Sequence, residues 1–130
     1  MPDVNYLAVV LAALSAFVLG GLWYSLLFAK PWAALTGQSE ESLKSGNKAI
    51  IFGGAFLLNL VAAYVLAMFV GRMGVPFGAM AGLSVGLCWV AVSLGINYLF
   101  ERRPLGLWLI NGGYFTIQYT AMGAIIGAFS

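Results

Sequence analysis

Hydrophobic positions along this chain run in four long blocks with almost no charge inside them: Tyr6 to Phe28, Ala49 to Val70, Pro76 to Phe100 and Leu105 to Phe129. Each exceeds the roughly 20 residues that a helix needs to cross a hydrocarbon core about 30 Å thick. Polar and turn-forming residues gather between the blocks, at Lys30 to Lys48, at Gly71-Arg72-Met73-Gly74 and at Glu101-Arg102-Arg103-Pro104. The pattern predicts an all-α fold, a four-transmembrane-helix bundle with helices at about 6–29, 49–71, 76–100 and 105–129, in one membrane domain covering 1–130. Inside the longest loop, Ser39 is a plausible N-cap, and Glu40 and Glu41 stand in the first turn, where the helix dipole favours acids. This predicts a short interfacial helix between helices 1 and 2, from about Glu40 to Lys44. The second and third connections are tight, so helices 2 and 3 are expected to be antiparallel neighbours.

Composition reinforces the pattern. Hydrophobic residues make up 62% of the chain, charged residues only 8%, and the mean hydropathy is +0.97; a soluble domain of this length needs far more surface charge. There is no histidine, which removes the commonest neutral-pH acid–base group and the commonest metal ligand. The one cysteine, Cys88, lies within the third block, so neither an internal disulfide nor a cysteine metal cluster can form. It is expected to be a small buried hydrophobe. A net charge of +2 without a basic patch excludes nucleic acid as a partner. No metal, cofactor or catalytic residue is expected. The residues before the first block include Asp3 and no Lys or Arg, so that block reads as a retained span rather than a cleaved signal.

Charge asymmetry orients the spans. Lys30, Lys44, Lys48, Arg102 and Arg103 fall on one side, and Arg72 on the other. The positive-inside rule places the five in the cytoplasm and both termini outside, in a multi-pass protein of the plasma membrane.

Small residues recur every four positions: Ala8, Ala12, Ala16 and Gly20 in span one; Ala55, Asn59, Ala63, Ala67 and Gly71 in span two; Gly78, Gly82 and Gly86 in span three; Gly123 and Gly127 in span four. Such faces let helix backbones approach closely in lipid, and they predict a tight bundle with faces left for a second copy of the chain.

Polar side chains inside the spans each need a partner, because an unpaired one is costly in hydrocarbon. Asn59 falls near the midplane of span two. Asn111, Tyr114 and Gln118 share a face of span four at i, i+3 and i+7. Interhelical hydrogen bonding, at about 0.6 to 2 kcal/mol per contact, is the plain explanation, and a path for a solute is the sharper one. At the cytoplasmic end, Tyr24, Asn97 and Asn111 lie at similar depth and could line a pocket, with Glu101 paired to an arginine or to Lys30 at its mouth. Trp23, Trp32, Lys30, Arg102 and Arg103 fit an aromatic belt with snorkelling cations. Glu101, an acid at a helix C-terminus, calls for a cationic partner.

Two stretches are more specific. One is Leu19-Gly20-Gly21-Leu22-Trp23-Tyr24-Ser25-Leu26-Leu27-Phe28-Ala29-Lys30-Pro31-Trp32. The other is Leu99-Phe100-Glu101-Arg102-Arg103-Pro104-Leu105, continuing through Leu109-Ile110-Asn111-Gly112-Gly113-Tyr114 to Met122-Gly123-Ala124-Ile125-Ile126-Gly127. Together they resemble the bacterial integral membrane family catalogued as domain of unknown function 1761, over essentially the whole chain. The resemblance implies an inner-membrane location and brings no assigned activity. Some relatives carry a histidine after the tyrosine of the last helix. Phe115 stands there in this chain, leaving no side chain for proton or metal chemistry at that position.

Three functions are therefore weighed. The first is a non-enzymatic, homo-oligomeric helix bundle in the lipid bilayer. The second is a small-solute or ion pathway using Asn59, Asn111 and Gln118, although no acid or base lies at mid-membrane to couple protons. The third is a membrane enzyme or a lipid- or quinone-binding module at the cytoplasmic interface. Without histidine, and with Glu101 as the one carboxylate near a helix end, a catalytic constellation is hard to assemble.

Overall fold

The computed structural model describes residues 4–36 and 48–129. These residues form α1 (Tyr6–Gly21), which continues as a π-helical stretch (Leu22–Leu27), then α2 (Ala29–Thr36), α3 (Lys48–Val70), α4 (Gly74–Ser84), a second π-helical stretch (Val85–Ala91), α5 (Val92–Glu101) and α6 (Leu105–Ala128). The rod from α4 through α5 is continuous over Gly74–Glu101. Three of the helices, Tyr6–Tyr24, Ala49–Val70 and Gly74–Glu101, are long and apolar enough to cross a membrane. The fourth expected span, α6, has the length, at 24 residues, but Asn111, Gln118 and several Tyr, Thr and Gly residues dilute its apolar character. Its position explains this. It runs through the middle of the bundle, against α1 on one side and α4 with the second π stretch on the other, and it carries more buried residues than any other described helix.

Two seams hold the bundle. At the first, Val9, Ala12 and Ala16 of α1, Ala63, Leu66, Ala67 and Val70 of α3, and Met122 and Ile126 of α6 form one buried cluster. At the second, glycines bring the backbones of α4 and α6 together. A Cβ added to Gly78 would overlap the carbonyl oxygen of Gly123, one on Gly82 the carbonyl of Tyr119, and one on Gly127 the carbonyl of Gly74. One on Gly86 would stand 2.7 Å from the carbonyl oxygen of Phe115. Such close approach gains dispersion contacts along the whole seam. The expected small-residue faces therefore meet, with two corrections. Ala55 is exposed, so only the C-terminal half of that face packs. And α4, although joined to α3 by a tight turn, lies mainly against α6.

The termini of the elements have local causes. The Asn5 side chain accepts from the backbone N–H groups of Leu7 (3.0 Å) and Ala8 (3.3 Å), and its Nδ2 donates to the Phe129 carbonyl at 3.1 Å, joining the start of α1 to the end of α6. Gly71 (φ +56°) and Gly74 (φ +88°) make the turn between α3 and α4. Arg102 closes α5 in the left-handed conformation (φ 57°), where the Arg103 N–H donates back to Tyr98 O at 2.9 Å. The first span does not run on as one α-helix to residue 29. Pro31 has no N–H and its ring crowds the carbonyl four residues earlier, and the chain passes through Phe28 (φ −128°) before α2 begins. The described short helix between the first two spans is α2. The helix expected at Glu40–Lys44 lies outside the described residues.

Candidate functional site

The end of the bundle where α1 finishes and α6 begins holds a cluster of neutral polar and aromatic side chains. The Tyr24 hydroxyl donates to Asn111 Oδ1 at 2.6 Å, and Asn111 Nδ2 donates to the Tyr98 hydroxyl at 2.8 Å. Trp23 Nε1 donates to the Ile110 carbonyl at 3.0 Å, and Trp32 meets Tyr24 edge-on with ring centres 5.8 Å apart. One turn deeper, the Tyr114 hydroxyl donates to the Ala16 carbonyl at 2.9 Å. Gly20 makes room for that hydroxyl: a Cβ there would stand 3.0 Å from Tyr114 Oη. The Tyr24 and Tyr114 rings are T-shaped at 5.2 Å. The first π stretch presents both Trp23 and Tyr24 to α6; π turns inside helices recur at functional sites.

Near mid-span, Gln118 is 1% exposed and donates from Nε2 to Asn59 Oδ1 at 3.1 Å, with Met122 Sδ 3.5 Å away. Among the described residues, every buried side-chain nitrogen or oxygen has a hydrogen-bond partner. At the mouth of the cluster, Arg103 Nε lies 3.7 Å from Glu101 Oε2, with both side chains about half exposed. This is the cationic partner expected for Glu101. Lys30 and Arg102 are exposed.

Of the residues expected to line a pocket, Tyr24 and Asn111 come together and Asn97 does not. Asn97 is exposed on the outer face of α5, and Tyr98 occupies the place expected for it. The second π stretch is the cause. Three α-turns beyond Gly86, about 11 residues at 3.6 per turn, would bring Asn97 onto the packed face. The wider π turns insert one residue, so the packed face steps from Gly86 to Ala91 and then to Gly95 and Tyr98. Cys88, expected to be buried, is exposed on the outside of the same stretch. Trp108 was also not singled out from sequence: its Nε1 donates to the Ala91 carbonyl at 2.7 Å, at the end of the π stretch. Neither Tyr98 nor Trp108 carried a signal in the sequence, because at 3.6 residues per turn the face through Gly78, Gly82 and Gly86 leads on to Asn97.

Two cavities border this architecture. One, about 260 Å³, lies at the opposite end of the bundle, among Val4, Asn5, Gly71, Arg72 and Phe129. The other is a groove of about 300 Å³ between α5 and α6, lined by Gly95, Tyr98, Leu99, Arg103, Pro104, Leu105 and Trp108. Of the hydrogen-bonded trio, Tyr98 borders this groove. The trio itself is made of phenols and a carboxamide. It can donate and accept hydrogen bonds, but it supplies no thiolate, imidazole or carboxylate to a metal.

No curated protein and no solved structure matches the chain. A family model does, over residues 7–127. That stretch contains the Trp23-Tyr24 run, the Glu101-to-Pro104 turn and the Asn111-to-Tyr114 segment that together build the cluster, and the chain belongs to the family described as protein of unknown function DUF1761.

Proposed function

We propose that this protein is a non-enzymatic, four-span membrane protein whose intramembrane polar groups set helix register, and that it works as an assembly of identical copies. One observation carries the first half: the buried and partly buried polar side chains bond one another or backbone carbonyls. Tyr24, Asn111 and Tyr98 form a chain of bonds, Gln118 bonds Asn59, and Tyr114 bonds Ala16. A solute path needs such groups turned toward water; here they link α1, α3, α5 and α6. In this reading α6 is the fourth span, sheltered from lipid by its neighbours, and the end with Trp23, Arg102 and Arg103 faces the cytoplasm.

The assembly half is supported by the outer face of α5. Ser93, Asn97 and Glu101 stand at i, i+4 and i+8, in line on one side of the helix, and all three are exposed. Polar groups within a span normally turn toward protein, so a second copy of this face is the occupant that suits them.

Two measurements test the proposal. In a Cys88→Ser background, Asn97→Cys should form disulfide-linked dimers in membranes under mild oxidation. Only monomer at every oxidant level would overturn the assembly reading. Asn59→Leu and Gln118→Leu should loosen the bundle in mild detergent. If both instead leave it intact and abolish ion or solute flux in liposomes, the pathway reading replaces this one.

A further inference from the structure

We propose that the groove between α5 and α6 is a binding site for one anionic phospholipid, with the lipid phosphate at Arg103, a glycerol-ester carbonyl at the Tyr98 hydroxyl and an acyl chain along Leu99, Leu105 and Trp108. The inference rests on the membrane-spanning reading above, and it concerns the face of α5 turned away from the Ser93–Asn97–Glu101 line. Three observations carry it.

The groove has the polarity of a lipid. Its lining is apolar apart from Arg103 at one end and the Tyr98 hydroxyl. Leu99 is 81% and Leu105 69% exposed, so the walls are open to a chain lying along the protein. Trp108 gives its N–H to the Ala91 carbonyl at 2.7 Å, so what it offers the groove is ring surface. Gly95 sits against that ring, where a Cβ would come within 3.0 Å of Trp108 Nε1, and the absent side chain keeps the floor of the groove low.

The donors are graded in depth as a lipid headgroup is. Tyr98 lies one helical turn, about 6 Å, inward of the turn that carries Arg103. Its oxygen accepts from Asn111 at 2.8 Å, and its own proton is taken by no acceptor among the described residues. A phenol has that one donor to give, and at this depth the acceptors in a bilayer are ester carbonyls.

The charge is held in reserve. Arg103 is paired with Glu101 by a single long contact of 3.7 Å, a loose exposed pair of small worth. A phosphate, which guanidinium can bind bidentately, displaces it readily.

The test uses the full chain in detergent micelles, titrated with phosphatidylglycerol and read by native mass spectrometry, with saturable quenching of Trp108 by brominated-chain phosphatidylglycerol as a second readout. One bound phosphatidylglycerol per chain is expected, in preference to phosphatidylcholine. Arg103→Gln should weaken it about fivefold, the worth of one cation at a membrane surface, whereas Arg72→Gln at the far end should not. Glu101→Gln, which frees Arg103, should tighten binding; a gain cannot come from misfolding. Trp108→Phe should remove the saturable part of the quenching. The proposal is overturned if phosphatidylcholine binds equally well, if Arg103→Gln and Glu101→Gln both leave binding unchanged, or if soluble glycerol phosphate displaces the lipid, which would make this a free-anion site. Failure of the membrane reading would show separately, as protein released from membranes by carbonate at high pH.

Discussion

Tyr24 and Asn111, 87 positions apart in the chain, are joined by a 2.6 Å hydrogen bond in which the phenol donates to the carboxamide oxygen. The same carboxamide passes a bond on from Nδ2 to Tyr98, so one side chain of α6 ties down both the first π-helical stretch and α5. The bond brings the Trp23-Tyr24 run and the Asn111-to-Tyr114 segment, the two ends of the sequence signature, into a single structural unit.

That unit should behave cooperatively. Tyr24→Phe and Tyr98→Phe are each expected to cost about 1 kcal/mol, in the range of interhelical hydrogen bonds in membranes, as read from unfolding in mixed micelles. Combined with Asn111→Leu, each should cost little more, because the carboxamide it served is gone. Additive losses across the double-mutant cycle would mean that the trio is not a network.

The glycine seam makes a sharper prediction. Gly82→Ala and Gly123→Ala each place a Cβ onto a backbone carbonyl of the opposing helix, and neither carbonyl can move without separating α4 from α6. Losses of about 3 kcal/mol, at the upper end for overpacking, or failure to fold are expected. Gly53→Ala and Gly54→Ala, where nothing lies within 4 Å, should instead be neutral or stabilising by about 0.5 kcal/mol, since alanine favours the helix. Thermal unfolding of the four variants in one detergent checks the contrast.

Backbone conformation separates the two tight turns. Gly71 has φ +56° and Arg102 φ 57°, yet only one of them is glycine. Gly71→Ala should cost about 1 kcal/mol and Arg102→Gly should gain up to about 1 kcal/mol, because a left-handed residue bearing a Cβ is strained by about that amount. Equal and opposite shifts in midpoint temperature are the expected readout.

Cysteine chemistry tests where the chain meets lipid and water. Cys88 is exposed on the outer side of the α4–α5 rod, within a membrane-spanning candidate segment. In intact cells it should react with an apolar maleimide and resist a charged, impermeant one. In a Cys88→Ser background, Lys30→Cys should be labelled by the impermeant reagent only after the membrane is opened. Labelling of Lys30→Cys from outside would reverse the proposed orientation.

The amino-acid pattern by itself determined the all-helical class, the two tight turns at Gly71–Gly74 and Glu101–Pro104, and most of the small-residue faces that pack, Ala55 excepted. These follow from local causes: uninterrupted apolar runs, glycines and prolines at the breaks, and four-residue spacing on a helix face. It also singled out Tyr24, Asn111, Tyr114, Gln118 and Asn59 as groups in need of partners. The tertiary structure alone decided who those partners are. It put α6 in the centre, where burial by neighbours makes Gln118 and Asn111 tolerable in a helix less apolar than the other three. It also exchanged Asn97 for Tyr98. A single extra residue in the π stretch at Val85–Ala91 rotates everything beyond it by about 100°, one residue's turn of an α-helix. Close packing of Gly86 and Ala91 against α6 selects that register. No periodicity read along one helix contains the constraint, because it belongs to the surface of another.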